Sequence, residues 1–268
     1  MRFTKMHGLG NDYLYVFGEV PDNASELSIK LSNRHFGAGS DGMIWISHSD
    51  IADFRMRIFN ADGSEAKMCG NGIRCVGKYV YDKGYTDKKH LRIETLSGIR
   101  ELSLEVKTGI VQSVSVHMGT VICEAPMPLT VAERNMVCMP VSVGNPHAVF
   151  FTQNVAAVPI SELGPKIEHD HAFPDGVNAE FVQVIGDNEL RMRVWERGSG
   201  VTMACGTGAC ASAAAAVVGG YCSYNSPIIV HLDGGDLTIQ VADDKSVTMS
   251  GPAEFVYEGD TEICLHRT

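Results

Sequence analysis

A cysteine followed by Gly-x-Gly occurs twice in this 268-residue chain, and the two copies lie 136 residues apart. Cys69 opens Cys-Gly-Asn-Gly-Ile-Arg-Cys, and Cys205 opens Cys-Gly-Thr-Gly-Ala-Cys. The repeat extends beyond the thiols. Phe54–Asn60 aligns with Leu190–Glu196 at the same offset, while Asp41-Gly42 aligns with Asp175-Gly176 and Gly10-Asn11 with Gly144-Asn145 at an offset of 134. Ordered landmarks at a spacing of nearly half the chain describe two copies of one domain, because a solenoid repeat is far shorter.

Local patterning places these landmarks. Short β-rich runs bounded by Gly, Asp or Asn predict strands at 13–17, 43–47, 54–59, 91–95, 101–106 and 111–118 in the first half. In the second half they predict strands at 137–143, 148–151, 181–184, 190–195, 228–232, 237–241 and 246–250. Helices are expected at 26–34, 72–83, 156–168 and 208–218. Each half is then mostly sheet, with a helix after its cysteine turn: an α+β fold of two pseudo-symmetric domains. The expected division is 1–118 plus about 252–268, and 119–251, with the last strand, through Thr261–Leu265, returning to the first half's sheet.

Composition narrows the functional classes. The net charge is −10 with no basic run, which argues against general nucleic-acid binding. No stretch of about 18 uninterrupted apolar residues suggests a membrane span, and the first residues lack a signal-peptide pattern, so a cytoplasmic protein is expected. Eight cysteines in such a chain are expected to be reduced. Their spacings, Cys-x5-Cys and Cys-x4-Cys, are poor for zinc. Cys123, Cys138, Cys222 and Cys264 read as small buried hydrophobes, as do Cys75 and Cys210 within their helices.

Cys69 and Cys205 differ from these because each stands directly before a Gly-rich turn. Such a turn entering a helix exposes backbone N–H groups that can hold a carboxylate. The same field favours thiolate and lowers a thiol pKa. Around them, Asn11, Asn60 and Asn145 recur in matched loops. One such Asn is an ordinary turn former, whereas repetition points to amides lining a polar small-molecule site. Arg197 could fork onto a carboxylate, and His147 and Glu196 could adjust thiol pKa values; the alternative is ordinary ion pairs and hydrogen bonds.

Two matched thiols suit some reactions better than others. A dithiol switch usually places its cysteines as Cys-x-x-Cys, and acyl transfer needs one thiol with a base. Inversion of a stereocentre needs two groups, a base on one face and an acid on the other. No lysine-centred signature points to pyridoxal phosphate.

The motifs His7–Tyr13, Asn60–Glu65, Met68–Cys75, Gly144–His147, Gly176–Phe181, Trp195–Gly198 and Ala204–Ala209 together resemble those of the diaminopimelate epimerase family. The resemblance implies interconversion of LL- and meso-2,6-diaminopimelate without cofactor or metal, serving lysine and peptidoglycan-precursor synthesis. It implies Cys69 and Cys205 as the acid/base pair, exchanging roles with direction. Asn11, Asn60, Asn145, Asn178, Glu196 and Arg197 would bind substrate, with Gly70, Asn71, Gly206 and Thr207 at the helix starts, and His147 and Glu196 would tune the thiols. It further implies two similar domains, each a sheet or barrel around a central helix, an active site in the cleft between them, and a homodimer. Two positions depart from the pattern: Gly42 stands where some members carry Gln, and Val201 where Glu is frequent.

Proline or hydroxyproline racemases share the paired cysteines but typically place His two residues after the first; Asn71 stands there here. Relatives that isomerise other substrates lack the thiol pair. A non-catalytic amino-acid-binding or redox-sensing protein is the alternative from another class.

Overall fold

The computed structural model describes residues 1–262. These form two compact units, one comprising Met1–Val116 with the chain from Gly251 onward, the other His117–Ser250. The chain runs β1 (Arg2–Gly8), β2 (Asn11–Phe17), α1 (Ala24–Ser32), β3 (Gly42–His48), β4 (Phe54–Asn60), β5 (Glu65–Ala66), α2 (Gly70–Asp82), β6 (His90–Thr95), β7 (Gly98–Lys107) and β8 (Ile110–Thr120). It continues through β9 (Ile122–Cys123), β10 (Met127–Val131), β11 (Arg134–Ser142), β12 (Pro146–Phe151), α3 (Ile160–Glu168), β13 (Asn178–Gly186), β14 (Glu189–Glu196) and β15 (Gly200–Val201). It ends with α4 (Gly206–Val218), β16 (Pro227–Leu232), β17 (Gly235–Val241), β18 (Ser246–Gly251) and β19 (Glu254–Asp260). The fold is α+β with four helices.

The same pairing order recurs in both units. In the first, β1 pairs antiparallel with β2, β2 parallel with β3, β3 antiparallel with β4, β4 parallel with β6, and β6 antiparallel with β7. In the second, β11, β12, β13, β14, β16 and β17 repeat that series with the same senses. Each parallel step needs a crossover, and each is spanned by a helix: α1 and α2 in one unit, α3 and α4 in the other.

Burial explains the elements. In β3, Met43, Ile44, Trp45 and Ile46 are all buried, as expected of a strand covered on both faces. β14 alternates instead: Leu190, Met192 and Val194 face the core, while Arg191 and Arg193 pair with Asp233 outside. Helix α4 is buried from Gly208 to Val217, and its run of alanines lets strands approach on every side. The buried Lys78 of α2 is satisfied: its ammonium reaches the Val111 carbonyl at 2.6 Å and Asp82 at 2.9 Å.

Several boundaries differ from the sequence reading, each for a local reason. Both central helices start two residues earlier than predicted, directly after the cysteines. Helix α3 begins at Ile160 because Pro159 disfavours helix in the residue before it, leaving a short 3-10 turn at Val155–Ala157. Helix α1 ends at Ser32, where the Asn33 side chain accepts from the N–H groups of His35 and Phe36. Strands β1, β10 and β19 were not predicted. β10 carries Pro128, which weakens a strand signal, and β19 is exposed along most of its length and lacks an alternating pattern. β19 pairs with β1; the strand predicted through 261–265 is not seen at 261–262, and 263–265 lie outside the described residues, as does Cys264. No described helix is long and apolar enough to cross a membrane.

Gly164 in α3 gives a sharp test of packing. A Cβ there would lie 2.6 Å from Trp195 Cβ and closer still to the indole ring, which Glu168 anchors through the indole N–H at 2.7 Å. Helix propensity alone would favour Gly164→Ala by about 1 kcal/mol. Overpacking costs about 1–3 kcal/mol and should win. Urea unfolding of the variant should show a net loss, and a gain in stability would refute this account of the α3–β14 contact.

Candidate active site

Each cysteine is the N-cap of its buried helix. Cys69 and Cys205 have extended backbones, at φ −136°, ψ 117° and φ −115°, ψ 109°. Their sulfurs accept from the N–H of Gly72 and of Gly208, both at 3.3 Å. The cap satisfies one of the donors a helix start leaves over. The second glycine of each Gly-x-Gly also has a packing reason. A Cβ at Gly72 would come within 2.7 Å of Ile44 Cδ1, and one at Gly208 within 2.8 Å of Glu180 Oε1.

In the first unit the Cys69 thiol donates to Asn11 Oδ1 at 3.4 Å. The Asn11 amide in turn donates to Asp41 at 2.8 Å, and Arg34 bridges Asp41 to Asp12. Burial works against the Asp12 charge, but hydrogen bonds from Arg34 and Lys5 outweigh it and hold the carboxylate below its ordinary range. Tyr13, beside Cys69, has a phenol pushed well above its usual value by burial and then by Cys69 and Asp41, so it remains neutral. Asn60 ends β4 and ties its own turn, donating to Ser64 Oγ at 3.1 Å. Gly70 and Asn71 occupy the first two helical positions and are buried.

In the second unit Cys205 is 5% exposed. Its sulfur lies 3.6 Å from Thr207 Oγ1, which accepts from the Asn145 amide at 3.3 Å. Asn145 Oδ1 faces His147 Nε2 at 3.1 Å, and His147 Nδ1 meets Glu180 Oε1 at 2.7 Å. Glu196 accepts from the Thr202 hydroxyl. Burial raises the Glu196 carboxyl, although hydrogen bonds from Thr202 and Cys205 oppose it. Burial also pushes the Cys205 thiol well above its usual range, reinforced by Glu196 and Glu180 and only partly opposed by Thr207 and the Gly208 N–H. This corrects the expectation that the helix start lowers this pKa: a helix dipole supplies at most about 2 kcal/mol, and full burial beside two carboxylates exceeds it.

The structure thus gathers Asn145, His147, Glu196, Gly206, Thr207 and Cys205 around α4, and Asn11, Gly70, Asn71 and Cys69 around α2. Two residues named from sequence are engaged with backbone. The Asn178 amide donates to Pro146 O at 2.8 Å and accepts from Arg197 N at 3.0 Å, so it joins two loops. Arg197 is exposed, and its guanidinium donates to Asp175 O at 2.8 Å. The departures also have structural settings. A Cβ at Gly42 would lie 2.9 Å from Asn60 Cα and closer still to Phe59 O, so this backbone admits no side chain there. Val201 is 44% exposed, and the neighbouring Thr202 supplies the bond to Glu196. Sequence reasoning missed Glu180 and Asp41 as members of these networks; the Asp41–Asp175 repeat was a signal for the second, and the first stood within the Gly176–Phe181 motif without a role.

Two units of repeated topology, each with a thiol capping a buried helix, have the fold of a class that includes racemases and phenazine-biosynthesis proteins. A Bacillus anthracis phenazine biosynthesis protein of the PhzF family superposes with a TM-score of 0.77 at 17% identity, covering 98% of this chain and 99% of that one. A probable proline racemase from Agrobacterium radiobacter gives 0.75 at 15% identity, covering 99% and 94%. At such identities the likeness is one of fold alone. Sequence is more specific: the diaminopimelate epimerase family model matches residues 3–123 and 139–256, and the chain belongs to that family. A diaminopimelate epimerase of Acetivibrio thermocellus is 50% identical across 98% of this chain and 99% of its own length.

Differential alkylation tests the contrast between the two thiols. Cys69 is partly exposed and Cys205 is buried with its proton held. Iodoacetamide at about pH 7.5 should modify Cys69 at least about tenfold faster than Cys205 in the free protein, as followed by peptide mass spectrometry. Equal rates would contradict the environment described for Cys205.

Proposed function

We propose that Cys69 and Cys205 are the two acid/base groups of an amino-acid epimerase acting on 2,6-diaminopimelate. The chain is an isomerase of the diaminopimelate epimerase family, and the activity is interconversion of the LL and meso forms in lysine biosynthesis. Supply of meso-diaminopimelate for peptidoglycan precursors belongs to the same proposal. The observation that carries the residue assignment is the duplicated cap: the same atom, on the same backbone, at the start of each buried helix.

Inversion at an α-carbon removes a proton from one face and returns one to the other. One cysteine, as thiolate, takes the α-proton; the other, as thiol, delivers its own to the opposite face. Each carries the other's starting protonation state when turnover is complete, so the pair serves both directions. Negative charge developing next to the α-carboxylate is stabilised by helix N-termini and their N–H groups. Gly70, Asn71, Gly206 and Thr207 occupy those starts. Asn11, Asn60, Asn145, Asn178, Glu196 and Arg197 are proposed to bind the substrate's remaining polar groups, and His147 and Glu196 to set thiol protonation. The chemistry needs reduced thiols, which fits a cytoplasmic enzyme. A homodimer is proposed with the same reading.

Serine is a good N-cap, so Cys69→Ser and Cys205→Ser should fold with stability close to that of the parent while losing the proton-transfer group. Each should lower epimerisation by at least about a hundredfold, in line with loss of a general acid or base. Deuterium uptake from D2O into LL-diaminopimelate, with L-proline and L-glutamate alongside, tests substrate and mechanism together. Uptake into diaminopimelate alone, with the meso form appearing, is the expected result. Uptake into proline alone would move the chain to the racemases, and near-normal turnover by either Ser variant would sink the two-base assignment.

A further inference from the structure

Glu180 is fully buried in β13, and none of the roles above uses it. Its Oε1 meets His147 Nδ1 at 2.7 Å, and its Oε2 has no hydrogen-bond partner among the described residues. It also lies directly under the catalytic helix start: a Cβ built on Gly208 would lie 2.8 Å from Glu180 Oε1 and 3.2 Å from Cys205 Sγ. A carboxylate buried with one oxygen unpartnered costs stability unless it does something else.

From Glu180 a continuous row of polar groups leads to the reactive sulfur. It passes through His147, then Asn145 at 3.1 Å, then Thr207 at 3.3 Å, and reaches Cys205 at 3.6 Å. A carboxylate only accepts, so His147 must carry its proton on Nδ1 and present a bare Nε2 when the ring is neutral. The Asn145 amide can turn end for end with its heavy atoms in place. It then donates to His147 Nε2 and turns its oxygen to the Thr207 hydroxyl, which stands 3.6 Å from Cys205 Sγ.

The matching position in the other unit sharpens this. The residue 136 earlier is Ile44, which presses on Gly72 as Glu180 presses on Gly208. Tyr13 stands where the second unit has His147, at the offset of 134 that relates Asn11 to Asn145. The carboxylate and imidazole are therefore additions to one copy of a duplicated frame.

We infer that Glu180 is a positioning residue that holds Cys205 as the resting acid of the pair, by fixing the His147 tautomer, aligning the Asn145–Thr207 row beside the thiol and setting a buried carboxylate against the sulfur. The inference rests on the proposed acid/base role of Cys205. The charged groups facing this sulfur are Glu180 from β13 and Glu196 from β14, with His147 from β12 behind Asn145; the Thr207 hydroxyl comes from its own helix. Of these, Glu180 both faces the sulfur and anchors the row.

Nitrogen-15 NMR of the intact protein reads the histidine rings directly, with His147 assigned by loss of its signals in His147→Gln. A proton on Nδ1, bonded to Glu180, is expected; a bare Nδ1 overturns the inference. Glu180→Gln keeps the accepting oxygen and removes the charge. Alkylation of Cys205 at about pH 8.5 should become about tenfold faster while Cys69 is unchanged, and kcat should fall about tenfold or more with KM within about threefold. An unchanged or slower Cys205 rate, or an undiminished kcat, overturns it. Should the variant not fold, the ring measurement on the parent protein still decides. Should the parent not epimerise diaminopimelate, the activity reading fails, whereas the ring and alkylation readouts still judge Glu180.

Discussion

The hydrogen bond from the third residue of each central helix to the cysteine before it ties backbone geometry to reactive chemistry. Because the sulfur caps the helix, its position is set by the same backbone that buries α2 and α4 among their strands. Capping also explains the glycines. The residue donating to the sulfur has to pass under it against a packed side chain, Ile44 in one unit and Glu180 in the other, which leaves little room for a Cβ. Stability alone would not choose cysteine here, since Ser, Thr, Asp and Asn are the better caps and sulfur is a weak acceptor. A thiol at both cap positions is therefore evidence for chemistry rather than for folding.

Duplication supplies a shared frame, and the electrostatics within it have diverged. Asn11 and Asn145 occupy equivalent loops, but Asn11 meets its cysteine directly while Asn145 reaches Cys205 through Thr207. Behind Asn11 lies the Asp41–Arg34–Asp12–Lys5 cluster of alternating charges. Behind Asn145 lie a buried imidazole and carboxylate. Two thiols with matching cap contacts thus meet different fields.

Much of this was legible in the sequence because duplication converts weak motifs into a pattern. Gly-x-Gly alone says little, but two copies at one offset located the thiols, the helices after them and the paired loops. What escaped did so for physical reasons. The helix starts were placed at Gly72 and Gly208 because two glycines in the first turn look like loop; the cap bonds to sulfur extend the helices back to Gly70 and Gly206. Glu180 lies in a strand among apolar residues, where a lone carboxylate carries no periodic signal, and its role depends on a histidine 33 positions away that only the parallel β12–β13 pairing brings alongside. Asn178 was named for substrate, yet its amide spans the Pro146 and Arg197 backbones, a use that residue type and spacing do not distinguish.

The protonation of Cys205 shows how the competing effects resolve. The helix start and the Gly208 N–H favour thiolate, while burial, Glu196 and Glu180 favour thiol, and the second group prevails. For a general base drawing a proton from the α-carbon of an amino acid, itself a very weak acid, this direction is useful. A thiolate whose conjugate thiol has a raised pKa is the stronger base, and the same raised pKa keeps the thiol protonated until the opposite proton leaves. The cost is that thiolate at Cys205 is scarce in the free protein. In the proposed two-base reaction, which runs both ways, each cysteine acts as acid and as base, and the buried carboxylates of the second unit bias where the proton waits, not the position of an equilibrium that belongs to substrate and product alone.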